Sequence, residues 1–131
     1  MEFYQCEPQA LDDLPRLREI ALAAAAAVGA TVVAEAFHRY QPQGVSGTVL
    51  IAESHLSIHT WPEAGYVAVD VFTCGGLDPR LALRYLSKAL GAAACRSQEI
   101  VRGLPEDVEG EVLPEDVRVL AREVELVRFD E

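Results

Sequence analysis

Long apolar runs are missing from this sequence. A membrane-spanning helix needs roughly 18 apolar residues, and the best stretch, Ile20–Val28, is short and alanine-rich. The opening Met1-Glu2-Phe3-Tyr4-Gln5-Cys6 carries no basic segment. No secretory signal is therefore expected, and cytoplasmic residence follows. Basic residues are scarce: 11 Lys and Arg stand against 21 Asp and Glu, a net charge of −10. Without a basic stripe, neither nucleic acid nor a membrane surface is an expected partner. Cysteine is limited to Cys6, Cys74 and Cys95, with no Cys-x-x-Cys. An odd, scattered set argues against a disulfide framework or a cysteine zinc site. The ordinary role of such residues is as small buried hydrophobes.

What remains is an ordinary globular chain. It has 131 residues, half of them apolar, enough for one domain that folds without metal or disulfide. The acidity is concentrated: residues 103–131 hold 10 acids and 3 arginines. Phe3–Cys6 reads as a short strand. Asp12-Asp13-Leu14-Pro15 opens a helix, with acids at its start and proline in its first turn, and Gly29 stops it after Val28. Thr31–Tyr40, Ser46–Glu53, His55–Thr60 and Tyr66–Cys74 read as strands separated by Pro- and Gly-containing turns. Asp78-Pro79 opens a second helix, to about Leu90, and Ala93–Val101 is another strand. Leu104-Pro105-Glu106-Asp107-Val108 recurs as Leu113-Pro114-Glu115-Asp116-Val117, too short an echo for a structural repeat. Pro114 is expected to start a helix to about Glu123, and Glu125–Phe129 a last strand. Hairpin-length gaps imply a mainly antiparallel sheet. Two main helices packed on one of its faces make a two-layer α+β sandwich.

Reactive side chains crowd the centre. Ser46, Glu53, Ser54, His55, Ser57, His59, Glu63, Asp70 and Cys74 fall within one short stretch. His55, His59 and Glu63 could suggest a metal. On a strand rising ~3.3 Å per residue, however, the two histidines lie about 13 Å apart, too far for one ion. No Gly-x-Ser-x-Gly elbow occurs, because Gly44-Val45-Ser46-Gly47 has the wrong spacing. No glycine-rich phosphate loop occurs either. Neither a metal nor pyridoxal phosphate is expected.

Three segments resemble the prokaryotic S-adenosylmethionine decarboxylases, the small pyruvoyl-dependent family. They are Gly44-Val45-Ser46-Gly47, then Glu53-Ser54-His55-Leu56-Ser57-Ile58-His59-Thr60-Trp61-Pro62-Glu63, then Asp70-Val71-Phe72-Thr73-Cys74-Gly75. The resemblance spans roughly residues 2 to 101. It implies a proenzyme that cuts itself between Glu53 and Ser54, giving chains 1–53 and 54–131 of one domain, 1–131. Serine is required because its hydroxyl can convert the preceding amide to an ester, then eliminate to dehydroalanine, which hydrolyses to a pyruvoyl group. Threonine could form the ester but not the pyruvoyl.

By the same resemblance, Ser46 and His59 assist processing, a hydroxyl for the developing oxyanion and an imidazole for the protons. The pyruvoyl group from Ser54 is the covalent cofactor and forms a Schiff base with the substrate amine. Cys74 donates the proton to the substrate Cα, for which a thiol pKa near ~8.5 is suitable. Glu63 matches a ribose-binding glutamate. Tyr40 and Trp61 are candidates to face the sulfonium of S-adenosylmethionine. Cys6 and Cys95 match no motif and are read as structural. Two departures stand out. Members of the family usually carry a Gly-Arg-His-Leu type run, forming a first strand, ahead of Glu-Phe-Tyr, and the acidic segment 103–131 has no family motif. That segment could replace the strand formed by the missing run, cover a sheet edge or hang free.

The first functional reading is decarboxylation of S-adenosylmethionine to the aminopropyl donor for polyamine, chiefly spermidine, biosynthesis, by a homodimer of cleaved protomers. An alternative keeps the pyruvoyl chemistry with arginine or ornithine as substrate. A third, from another class, is an unprocessed binding or regulatory subunit. Ser54, His59 and Cys74 together argue against the third, and Glu63 with the aromatics favours the nucleoside substrate.

Overall fold

A computed structural model describes residues 1–102 and the backbone of 121–128. Alternating apolar residues dictate most of its strands. The strands are β1 (Glu2–Tyr4), β2 (Thr31–Arg39), β3 (Val45–Ala52), β4 (Ser54–Trp61), β5 (Tyr66–Phe72), β6 (Ala94–Ile100) and β7 (Ala121–Arg128). They form one sheet in the order β2-β3-β4-β5-β1-β6-β7. Every neighbouring pair is antiparallel. The helices are α1 (Leu14–Ala27) and α2 (Arg80–Ala89), with 3-10 turns at Ala10–Asp12 and Pro62–Ala64. The expected α+β sandwich is the observed architecture.

One sheet face is apolar. Val45, Val49, Ile51, Leu56, Ile58, Val67 and Val69 are buried there against α1 and α2. Helix α1 supplies Leu17, Ile20, Ala21, Ala24 and Ala25 at three- and four-residue intervals, the stripe an amphipathic helix needs. Asp13 caps it, its carboxylate accepting the Arg16 N–H at 3.1 Å. A buried leucine such as Leu56 in this layer is worth about 2–5 kcal/mol against alanine.

Thr60 breaks the apolar pattern. It follows Leu56 and Ile58 on the buried face at 6% exposure. Its hydroxyl donates to the Leu11 carbonyl at 2.6 Å and accepts the Val45 N–H at 2.9 Å. Burial of that hydroxyl is tolerated because both bonds are made.

The other face carries the alternate residues, among them Ser46, His55, His59, Trp61, Tyr66 and Phe72. Among the described residues no helix covers this face.

Two expectations change. Ala121–Glu123 are strand rather than the end of a helix from Pro114, because β7 pairs along β6 from Ile100↔Ala121 to Ala94↔Arg128. Long-range pairing there overrides the helix-favouring local composition. The rest of that expected helix, the pentapeptide echo and Phe129 lie outside the described residues. Strand β5 also ends at Phe72, so Thr73 and Cys74 leave the sheet. No described helix is long and apolar enough to cross a membrane.

Candidate active site

The Glu53–Ser54 bond lies in the tightest reversal of the sheet. Strand β3 ends at Ala52 and β4 begins at Ser54, with Ile51 opposite Ser54. Glu53 alone bridges them, through a cis Ala52–Glu53 peptide. Because β5 stops at Phe72, the following residues curl back over this turn. The Cys74 thiol donates to the Glu53 carbonyl oxygen at 3.5 Å. That oxygen belongs to the very bond expected to break. Cys74 is exposed, whereas Cys6 and Cys95 are buried, and burial pushes the Cys6 thiol up to about 11. Only Cys74 is therefore available for chemistry.

Next to the turn, the His55 ring packs edge-on to Phe72 at 5.8 Å. The Arg102 guanidinium lies over the Phe72 ring, 4.5 Å from its centroid. A cavity of about 280 Å³ opens beside them, lined by Asp70, Arg80 and Glu99 as well.

The second cluster sits at the far end of the same strands. Ser46 and His59 are register partners, so their side chains emerge side by side on the uncovered face. The Ser46 hydroxyl and His59 Nδ1 are 2.7 Å apart. Gly44 and Gly47 frame this pair for different reasons. Gly44 has φ +100°, and a Cβ there would meet the Thr60 carbonyl oxygen at 3.1 Å. At Gly47 a Cβ would meet the Phe37 ring at 2.1 Å. Tyr40 and Trp61 are both exposed at this end, and Glu63 is exposed in the Pro62–Ala64 turn. Trp61 lies 6.4 Å from the His59 ring and 5.2 Å from the Tyr66 ring.

The sequence-predicted residues thus form two groups. Glu53, Ser54 and Cys74 meet at one end. Ser46 and His59 meet at the other, with Tyr40, Trp61 and Glu63 around them. Five residues of extended strand separate Ser54 from His59, about 17 Å at the strand rise of ~3.3 Å per residue. Within one chain, His59 does not reach Ser54.

Sequence reasoning passed over a supporting network. The Tyr66 hydroxyl donates to Glu2 at 2.9 Å, and Arg96 Nε donates to the other Glu2 oxygen at 2.8 Å. Burial, then the Glu2 carboxylate, pushes the Tyr66 phenol up to about 12. Hydrogen bonds from Arg96 and then Tyr66 hold the Glu2 carboxyl below its usual range. Nothing in the spacing of these residues links them, because β1 joins the sheet between strands remote in sequence. Thr60 did leave a signal: a polar residue at a position where the alternation demands an apolar one.

Chemically, the turn end offers a serine hydroxyl on the residue that follows the Glu53 carbonyl and a thiol donor on that carbonyl's oxygen. The far end offers a hydroxyl and an imidazole within hydrogen-bond distance, a pair through which a proton can pass.

Comparison with known proteins gives consistent matches. The family model described as S-adenosylmethionine decarboxylase matches residues 1–103. An S-adenosylmethionine decarboxylase proenzyme of Carboxydothermus hydrogenoformans is 51% identical over 104 residues, covering 79% of this chain and 82% of that protein. The proenzyme of the same description from Thermotoga maritima is 47% identical over 116 residues, covering 88% and 87%. The crystal structure of the adenosylmethionine decarboxylase from Aquifex aeolicus superposes with a TM-score of 0.64 at 35% identity, covering 70% of this chain and 76% of that one.

Proposed function

The chain belongs to the S-adenosylmethionine decarboxylase family, and on that premise we propose that it decarboxylates S-adenosylmethionine through a pyruvoyl group made from its own Ser54. The observation that carries this reading is the Cys74 thiol on the Glu53 carbonyl oxygen. The residues fit the group: a serine stands at the turn, and a proton donor touches the oxygen that must accept charge.

In the proposed maturation, Ser54 Oγ adds to the Glu53 carbonyl carbon and the amide becomes an ester. Cys74 donates to the oxygen as it gains charge. A base then removes the Ser54 Cα proton, the Cα–Cβ double bond forms, and Glu53 leaves as the carboxylate end of chain 1–53. The dehydroalanine heading chain 54–131 takes up one water and releases ammonia. A pyruvoyl ketone there supplies an electron sink for the pair left when carbon dioxide departs. Cys74, at the same turn, returns a proton to the substrate Cα. Glu63 accepts from the ribose hydroxyls, and Tyr40 and Trp61 offer aromatic faces to the sulfonium. The product is the aminopropyl donor for spermidine synthesis.

The proposed enzyme is a homodimer acting in the cytoplasm. Two features support the dimer: the uncovered sheet face, and the ~17 Å that separates His59 from Ser54 in one chain. A two-fold axis through that face, with strands running oppositely, brings the Ser46–His59 end of one protomer over the Ser54 turn of its partner.

The test is mass spectrometry of the denatured protein with a carbon dioxide release assay. The expected result is two chains, 1–53 and 54–131, the second lighter by one ammonia than a serine-headed chain. Carbon dioxide should come from carboxyl-labelled S-adenosylmethionine in preference to arginine or ornithine. An uncut chain with full activity would overturn the reading, and preference for arginine or ornithine would overturn the substrate.

A further inference from the structure

Asp12 was expected only to help open α1, yet Asp13 is the residue that caps that helix. Asp12 instead turns away to the β2–β3 hairpin. Its Oδ1 accepts the Gly44 N–H at 2.9 Å, and its Oδ2 pairs with Arg39 Nη2 at 2.5 Å. The neighbouring Leu11 carbonyl accepts the Thr60 hydroxyl, which in turn accepts the Val45 N–H. The 3-10 turn Ala10–Asp12 therefore grips the hairpin and β4 at once. What it grips is the stretch carrying the site: Tyr40, whose N–H donates to the Gly44 carbonyl at 2.8 Å, and Ser46, two residues past Gly44. A side chain at Gly44 would be strained at φ +100° and would press on the Thr60 carbonyl at 3.1 Å.

We propose that Asp12 is a positioning residue of the active site: by holding Gly44 and Arg39 it sets where Tyr40 and the Ser46–His59 pair stand over the partner's Ser54. The inference rests on the function proposed above. Its physical basis is that small displacements of a catalytic pair are costly. A shift near 1 Å can slow a step by ~10²-fold. Asp12 touches neither Ser54 nor Cys74, so its effect should fall on the steps that use the hairpin and spare the one that does not.

The experiment compares full-length Asp12→Ala, Asp12→Asn and Arg39→Met. In Asp12→Ala, self-cleavage should slow ~10–100-fold and KM should rise, while kcat per cleaved site stays within about threefold because Cys74 is untouched. Asp12→Asn keeps an oxygen for the Gly44 N–H but gives up the charge that holds Arg39, and should recover part of the cleavage rate, a rescue that generic destabilisation does not give. Amide exchange at Tyr40 and Gly44 reads the grip whether or not the chain cuts itself. Protection lost there in Asp12→Ala, with the β4–β5 core retained, supports the proposal. Unchanged protection, or wild-type cleavage and KM in a folded Asp12→Ala, overturns it. Should Asp12→Ala fail to fold, Arg39→Met decides: slowed cleavage supports the role and wild-type cleavage refutes it. A wild-type chain that never cuts itself would sink the function proposed above, and the exchange result would still stand for or against Asp12.

Discussion

A mixed dimer offers the sharpest check on where cleavage chemistry comes from. One chain carries Ser54→Ala: it cannot be cut, but it retains Ser46 and His59. The other carries His59→Ala: it retains Ser54 but has lost the imidazole, which as a general acid–base is worth about 10²–10⁴-fold. Along β4 those two positions are ~17 Å apart, and His59 is already paired with Ser46. If a partner's His59 serves Ser54, each mixed dimer has one complete site. Random association of equal amounts makes about half of the dimers mixed. About half of the His59→Ala chains should then appear as 1–53 and 54–131 on a denaturing gel, and almost none when either variant is alone. The chains should be co-expressed with different tags so that the cut fragment identifies its parent. If His59 serves its own Ser54, neither chain holds both groups and the mixture stays whole. Absence of cut fragments from verified mixed dimers would refute the two-chain site.

Two further outcomes rest on individual contacts. Cys74→Ala should slow self-cleavage about tenfold, less than the 10²–10³-fold of a strong oxyanion donor because sulfur at 3.5 Å donates weakly. Turnover by the chains that do mature should fall by about 10²–10⁴-fold, and unchanged turnover would remove Cys74 as the acid. Glu2→Gln should lower stability at neutral pH by roughly 1 kcal/mol or less, since the Arg96 pair is solvent-screened. The Glu2 carboxyl is held below its usual range, so its contribution is complete above pH ~4.3. It fades as pH falls through the lowered value. Urea midpoints of wild type and variant should therefore converge in acid, and a gap persisting at pH 2 would contradict the assigned network.

Much of the fold could be read from short-range pattern. Period-two alternation located the strands, and the alanine-rich stripe between Asp13 and Gly29 located α1. The insertion of β1 between β5 and β6 could not be read, because Glu2 pairs with both Ala68 and Arg96 and no local signal encodes such distant partners. At the C-terminal end, Glu, Leu and Ala favour a helix locally, while the ladder to β6 imposes a strand. The motif singled out the candidates at the Glu53–Ser54 turn and at the Ser46–His59 pair, and Tyr40 only by its proximity, but their grouping was not drawn. The ruler that separates His55 from His59 by about 13 Å also separates Ser54 from His59 by about 17 Å. A motif read as one contiguous unit hides that an extended strand carries its two ends to different places.

A cut inside a hairpin turn has a consequence for the lifetime of the molecule. The proposed break falls at the end of a ladder that runs from Ile51↔Ser54 to Ser46↔His59, so the native sheet loses one covalent link and, with the Ser54 nitrogen released as ammonia, no pairing beyond the one next to the cut. In the folded state the nick is nearly silent. In the unfolded state the two pieces diffuse apart, and what closed a minimal loop before becomes an encounter between separate chains. If the chain cuts itself as proposed, folding is a one-time privilege of the uncut precursor. After maturation the enzyme persists by the slowness of its unfolding rather than by an equilibrium it can re-enter. Its working life is then set by a rate, and every molecule that opens fully is retired.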